Sequence, residues 1–176
     1  MKKIKINEYN YIIPDNLINL EELEIYNCNN YFKIPNTFNK LKVLKINDCN
    51  KINIPNNLIN LKTLDINYCD NLYEIPNNLK KLKILNINNC RFIEEIPNNL
   101  KKLNILKINN CRNIQYLPKK LNNLKELEIN NCHNIQYLPK ELINLKKLKI
   151  KNYNNIKKLP NTLINLEELY FYNEKI

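Results

Sequence analysis

The chain has 176 residues, 28 basic against 17 acidic side chains, and a net charge of +11. It holds 40 asparagines and 26 lysines but no glycine, alanine, serine or tryptophan, and one histidine. Without serine there is no serine nucleophile. Without glycine there is no phosphate-cradling loop, dinucleotide fingerprint or nucleophile elbow. With His133 alone, no multi-histidine metal site can form.

Asparagine, lysine, isoleucine and tyrosine have AT-rich codons, so the composition points to an AT-rich genome. A giant DNA virus or an AT-rich protist is the expected source. Part of the positive charge then reflects codon usage. Proline has GC-rich codons, yet eight prolines remain, which marks them as structural.

The opening stretch MKKIKINEYNYIIP has basic residues but no apolar run of signal-peptide length. No stretch approaches the roughly 20 apolar residues of a membrane span. No transmembrane segment is expected, and a cytoplasmic location is, in a host cytoplasm if the source is viral.

Further along, the prolines recur as Pro14, Pro35, Pro55, Pro76, Pro97, Pro118, Pro139 and Pro160, a step of 20 or 21 residues. Cys28, Cys49, Cys69, Cys90, Cys111 and Cys132 keep the same step, and Tyr153 takes the next cysteine place. A fixed period of this size means a solenoid. Repeats are expected to start at residues 1, 20, 41, 61, 82, 103, 124, 145 and 166, all within a single domain spanning 1–176. The repeat from Leu82 shows the pattern: apolar positions 1, 4, 6, 9, 12, 15 and 19 hold Leu82, Leu85, Ile87, Cys90, Ile93, Ile96 and Leu100. Positions 4 and 6 alternate with polar residues, which predicts a strand. Beyond Pro97 the apolar step of three to four predicts a single 3₁₀ or irregular turn. Proline pre-sets φ there and pushes the residue before it to extended geometry.

This pattern, LxxLxIxxCxxI followed by IPxxLxx, resembles the leucine-rich repeat family over essentially the whole chain. The resemblance implies an α/β-type repeat solenoid. Its shape would be a horseshoe-like arc, with nine short parallel strands on the concave side and 3₁₀ or irregular turns on the convex side. At about 4.8 Å per strand the arc would run roughly 38 Å, enough to grip a protein surface or peptide. Single repeats of this kind cannot fold alone and depend on stacking.

Without glycine, any positive φ must fall on asparagine or aspartate. Asn30, Asp70, Asn71, Asn113, Asn134 and Asn155, just after the cysteine position, are the expected turn formers. The cysteines should form one inward column of reduced thiols, acting as small buried hydrophobes. No CxxC pair argues for zinc, and no metal or cofactor is expected. A Cys132–His133 nucleophile is not expected either, because the buried thiol and the turn histidine should face opposite ways.

The outward strand positions carry a net +3, and the rest of the chain +8. The excess includes Lys80, Lys81, Lys101, Lys102, Lys119 and Lys120, a convex ridge suited to nucleic acid or anionic lipid. Arg91 and Arg112 are the only arginines, few for base readout. The concave ladders say more. Position 5 alternates in sign through Lys5, Glu24, Lys45, Asp65, Asn86, Lys107, Glu128 and Lys149, ending at Tyr170. Position 3 has an apolar middle, Val43, Thr63, Ile84 and Ile105, with charges at both ends. An apolar strip rimmed by charge is what an interface needs.

The expected function is therefore a non-enzymatic protein–protein interaction module, with a protein partner held on the concave face. A host protein is the natural target class if the source is viral. The expected contact residues are Tyr26, Val43, Thr63, Tyr68, Ile84, Asn86, Asn88, Ile105, Lys107, Asn109, Glu128, Tyr170 and Tyr172. The alternative is electrostatic binding of nucleic acid or anionic membrane by the lysine ridge. The last unit, with Glu174 in the cysteine place and its end at Ile176, should leave the core end poorly covered.

Overall fold

The computed structural model describes residues 2–7, 12–28 and 31–172. Met1, Asn30, Glu174 and Ile176, which entered the reading above, lie outside them. Eleven strands follow in chain order: β1 (Lys3–Ile6), β2 (Glu22–Tyr26), β3 (Phe32–Lys33), β4 (Val43–Asn47), β5 (Ile52–Asn53), β6 (Thr63–Asn67), β7 (Ile84–Asn88), β8 (Ile105–Asn109), β9 (Glu126–Asn130), β10 (Lys147–Lys151) and β11 (Glu168–Tyr172). Nine of them make one parallel sheet in the order β1-β2-β4-β6-β7-β8-β9-β10-β11. The nine-strand parallel solenoid expected from the repeat is the observed architecture.

Register follows from the period. Each coil places the same positions opposite one another, so Leu64 faces Leu85 and Ile66 faces Ile87 across β6 and β7. Positions 4 and 6 alternate inward with full burial, and position 3, 5 and 7 side chains stay half-buried on the solvent face. The core is one continuous column of leucine, isoleucine and cysteine, with Phe32 and Phe38 among them, from Ile6 to Ile156. No helix occurs among the described residues. The return path is built from turns closed by i to i+3 bonds, such as Leu82 N–H to the Leu79 carbonyl at 3.0 Å and Leu103 N–H to the Leu100 carbonyl at 3.0 Å. Two short strands that the alternation did not announce, β3 and β5, pair on this side. At the far end, inward Leu169 of β11 is 49% exposed.

The left-handed residues are not where they were expected. Positive φ falls on Asn27, Asp48, Tyr68, Asn89, Asn110, Asn131 and Asn152, the residue before the cysteine position. Asp70, Asn71, Asn113, Asn134 and Asn155 are not among them. The reason is phase. Positions 4 and 6 point inward, so plain alternation would turn position 9 outward. One residue in the left-handed region at position 8 breaks the alternation and returns the cysteine to the core, as a bulge does. Its N–H then bonds the next strand's final carbonyl, as in Asn89 to Asn109 at 2.9 Å. Asn134 and Asn155 instead tie coils together, donating to the Arg112 and His133 carbonyls at 2.7 and 2.8 Å.

Tyr68 is the exception in that column. An aromatic side chain at φ 54° sits where every other left-handed residue among those described is asparagine or aspartate. Left-handed geometry costs a residue with a bulky Cβ substituent more than it costs asparagine. Tyr68→Asn is therefore expected to stabilise the fold by about 1 kcal/mol. Urea unfolding checks it; a loss of stability would mean that the ring contributes packing outweighing the strain.

All six cysteines are buried thiols. Cys49 Sγ donates to the Asn47 carbonyl at 3.3 Å and lies 3.9 Å from that of Ile25. Cys90, Cys111 and Cys132 repeat the arrangement. Burial pushes the Cys49 thiol up to about 12 and that of Cys132 to about 11. These two thiols are protonated donors within the core.

Candidate functional site

The sheet register brings the position-3 residues together. Val43 partners Thr63, Thr63 partners Ile84, and Ile84 partners Ile105, on four adjacent strands. All four are half-buried, a shallow apolar strip on an otherwise polar face. Strands hold these side chains outward because their neighbours at positions 4 and 6 are locked in the core.

Beside the strip runs an amide ladder. Asn67 donates to Asp65 at 3.0 Å, Asn88 to Asn67 at 2.7 Å, and Asn109 to Asn88 at 2.7 Å. The Oδ1 atoms of Asn86, Asn109 and Asn130 are shielded from solvent and accept no hydrogen bond among the described residues.

The charges around the strip are largely closed on themselves. Lys45 reaches Glu24 at 2.8 Å and Lys149 reaches Glu128 at 3.1 Å, the alternating pairs of position 5. Lys107 departs from that column and pairs diagonally with Glu126 at 2.9 Å. Lys3 pairs with Glu22 and Glu24, and Lys147 with Glu168. The tyrosines stand apart from the strip's centre. Tyr26 at β2 bonds Glu24 and lies under Lys5, 4.8 Å from ring centre to Nζ. Tyr170 and Tyr172 sit on β11 beneath Lys147 and Lys151, three strands beyond Ile105. Tyr68 is not on a strand; it is the left-handed turn residue past β6 and is 58% exposed.

The convex lysines Lys80, Lys81, Lys101, Lys102, Lys119 and Lys120 are all exposed on turns. Lys81 is engaged with Asn60 Oδ1 at 2.6 Å.

One group of residues received no role from the reading by position. The strand exits open into a groove of about 640 Å³ where Arg91, Arg112 and His133 stand on successive coils. Their rarity was the available signal: they are every arginine and histidine in the chain. Cys132 is buried while its neighbour His133 lines this groove.

Three stretches, residues 19–41, 60–82 and 81–103, match the family model described as Leucine Rich Repeat. No curated protein matches the chain. Among solved structures, the leucine-rich repeat domain of the type III effector XopL is 23% identical with a TM-score of 0.59; the match covers 77% of this chain and 55% of that one. An internalin from Listeria monocytogenes is 18% identical with a TM-score of 0.58, covering 99% of this chain and 68% of that one. This chain therefore spans about half the length of the first of these. At such identities the likeness is one of fold. Among the described residues no helix is long and apolar enough to cross a membrane, and no group of three or more histidine, cysteine, aspartate or glutamate side chains is placed to hold a metal.

Proposed function

Because the chain is a leucine-rich-repeat solenoid, a fold that commonly mediates protein–protein interaction, we propose that it is a non-enzymatic interaction module that seats a protein partner on the concave sheet face. The observation that carries this reading is the strip Val43–Thr63–Ile84–Ile105, apolar but for the Thr63 hydroxyl, in register on adjacent strands. It offers affinity by desolvation. The internal ion pairs at Glu24, Lys107, Glu128 and Lys149 frame it. Because these charges are already paired, they act mainly by excluding like-charged or mismatched partners. The amide ladder Asn67–Asn88–Asn109 beside the strip fits a partner that presents polar groups next to apolar side chains. Tyr26, Tyr170 and Tyr172 extend the face at its two ends. A cytoplasmic setting and, for a viral source, a host target remain part of this proposal.

The test is a tagged pull-down from a cytosolic lysate, washed at low and high salt, with wild type beside Ile84→Glu/Ile105→Glu. Both positions are half-buried, so the variant is expected to keep its fold, checked by circular dichroism. The expected result is a discrete protein retained by the wild type at high salt and lost by the variant. Recovery of only nucleic acid or lipid, equal for both and removed by salt, would overturn the reading in favour of the lysine ridge.

A further inference from the structure

The groove at the strand exits has two ends of opposite charge. Its walls are the left-handed position-8 residues Asp48, Tyr68, Asn89, Asn110 and Asn131, and the position-10 residues two places further on. In its middle, Arg91 Nε and Asp70 Oδ2 form an ion pair at 3.4 Å, and the Arg91 N–H also bonds Asp70 Oδ1 at 3.2 Å. These two charges satisfy one another. The charges on either side of them do not. Among the described residues Arg112 has no acidic partner and Asp48 has no basic one.

The Arg112 end is equipped for an anion. Asn131 Nδ2 donates to Asn110 Oδ1 at 2.9 Å, so the amide oxygen of Asn110 is engaged and its amide N–H groups are unspent. His133 lies on the next coil and lines the same groove. A guanidinium fork, an amide and an imidazole on adjacent coils suit one carboxylate better than a long anion. The other end is equipped for a cation. There the Asp48 carboxylate stands one coil from the exposed Tyr68 ring, whose face can receive an ammonium or guanidinium group. Tyr68 is the ring held at positive φ at the expense of backbone strain.

A ligand of one sign satisfies one end and is repelled at the other. A nucleic-acid backbone would set phosphates against Asp48. From β4, which precedes Asp48, to β8, which precedes Arg112, there are three strand spacings, about 14 Å. An extended peptide rises about 3.3 Å per residue, so about four residues span the distance. Residues four apart in an extended chain point to the same side. We propose that this groove binds an extended protein segment carrying a basic and an acidic side chain about four residues apart, the acid on Arg112, Asn110 and His133 and the base on Asp48 and Tyr68. This site lies off the concave strip and does not depend on it.

Blocked synthetic peptides test it. Each carries one lysine and one glutamate in a threonine–glutamine background, with separation and order varied, and binding is read by fluorescence anisotropy. Saturable binding is expected in one order, best at a separation of about four residues. Arg112→Gln and Tyr68→Asn should each weaken it about tenfold, although Tyr68→Asn is the more stable protein. That opposition separates a binding role from a structural one. Ile84→Glu/Ile105→Glu should bind the peptide as the wild type does, so failure here is distinct from failure of the concave-face reading. The proposal is overturned if no peptide binds saturably, if Arg112→Gln binds equally, if peptides of acidic residues alone bind best, or if inorganic phosphate at matched ionic strength displaces the peptide.

Discussion

Replacing Phe38 by alanine is expected to cost about 3–5 kcal/mol of stability. Phe38 is fully buried and among the largest of the sequestered side chains. It fills the turn position that Leu58, Leu79, Leu100, Leu121 and Leu142 fill in later coils, and its carbonyl accepts the Leu41 N–H at 3.2 Å. Truncation removes the apolar surface and leaves a cavity between coils that stack only on their neighbours. Phe38→Leu, which restores the residue used elsewhere in the column, should cost less than about 1.5 kcal/mol. Urea unfolding followed by far-UV circular dichroism compares the three proteins. A lower midpoint with an unchanged slope would show whole-chain cooperativity, and a lower slope would show the first coils detaching. Equal losses for alanine and leucine would contradict a cavity as the cause.

Acid should weaken the protein through Glu24. This carboxylate is 6% exposed, the one charged side chain buried among the described residues. Its hydrogen bond from Lys45 at 2.8 Å, opposed by burial and aided by Lys3 at 3.3 Å, holds its pKa at about 2 against an ordinary 4.5. The folded value is the lower one, so the folded state favours the charged form. Its stabilisation is full above about 4.5 and is lost as pH falls from there towards about 2. Glu24 lies on the open face of the sheet, one strand from its edge, so water screens both pairs. The contribution is about 1–2 kcal/mol after that discount. Unfolding measured across this window should show a shallower pH slope for Glu24→Gln than for the wild type. An identical slope would show that other carboxylates carry the acid sensitivity.

Much of the fold was legible because each coil buries the same places. Ile87, Ile108 and Ile129 occupy one position and meet the same fate, so the register could be read before any strand was seen. The left-handed residues were legible too, but were read from the wrong cue. Turn-forming asparagines occur on both sides of the cysteine, and only the odd step from position 6 to position 9 tells which side must change hand. The short strands β3 and β5 carried no alternation long enough to mark them. On the candidate face, Val43, Thr63, Ile84 and Ile105 could be aligned by counting. Tyr68 could not be placed, because its side chain leaves from a turn whose geometry the count does not contain.

The linear sequence by itself determined the period, the parallel stacking and the inward column, because a repeated burial pattern has one consistent way to hide its apolar side chains. Only the tertiary structure decided the partners of the outward ones. Lys107 stands opposite Glu128 in the register but pairs with Glu126, a choice of rotamer and local field that periodicity does not encode. Asp48, Tyr68, Arg112 and His133 each stand 20 or more residues from the next in sequence. They line one groove because stacking converts a separation of about one period into about one strand spacing.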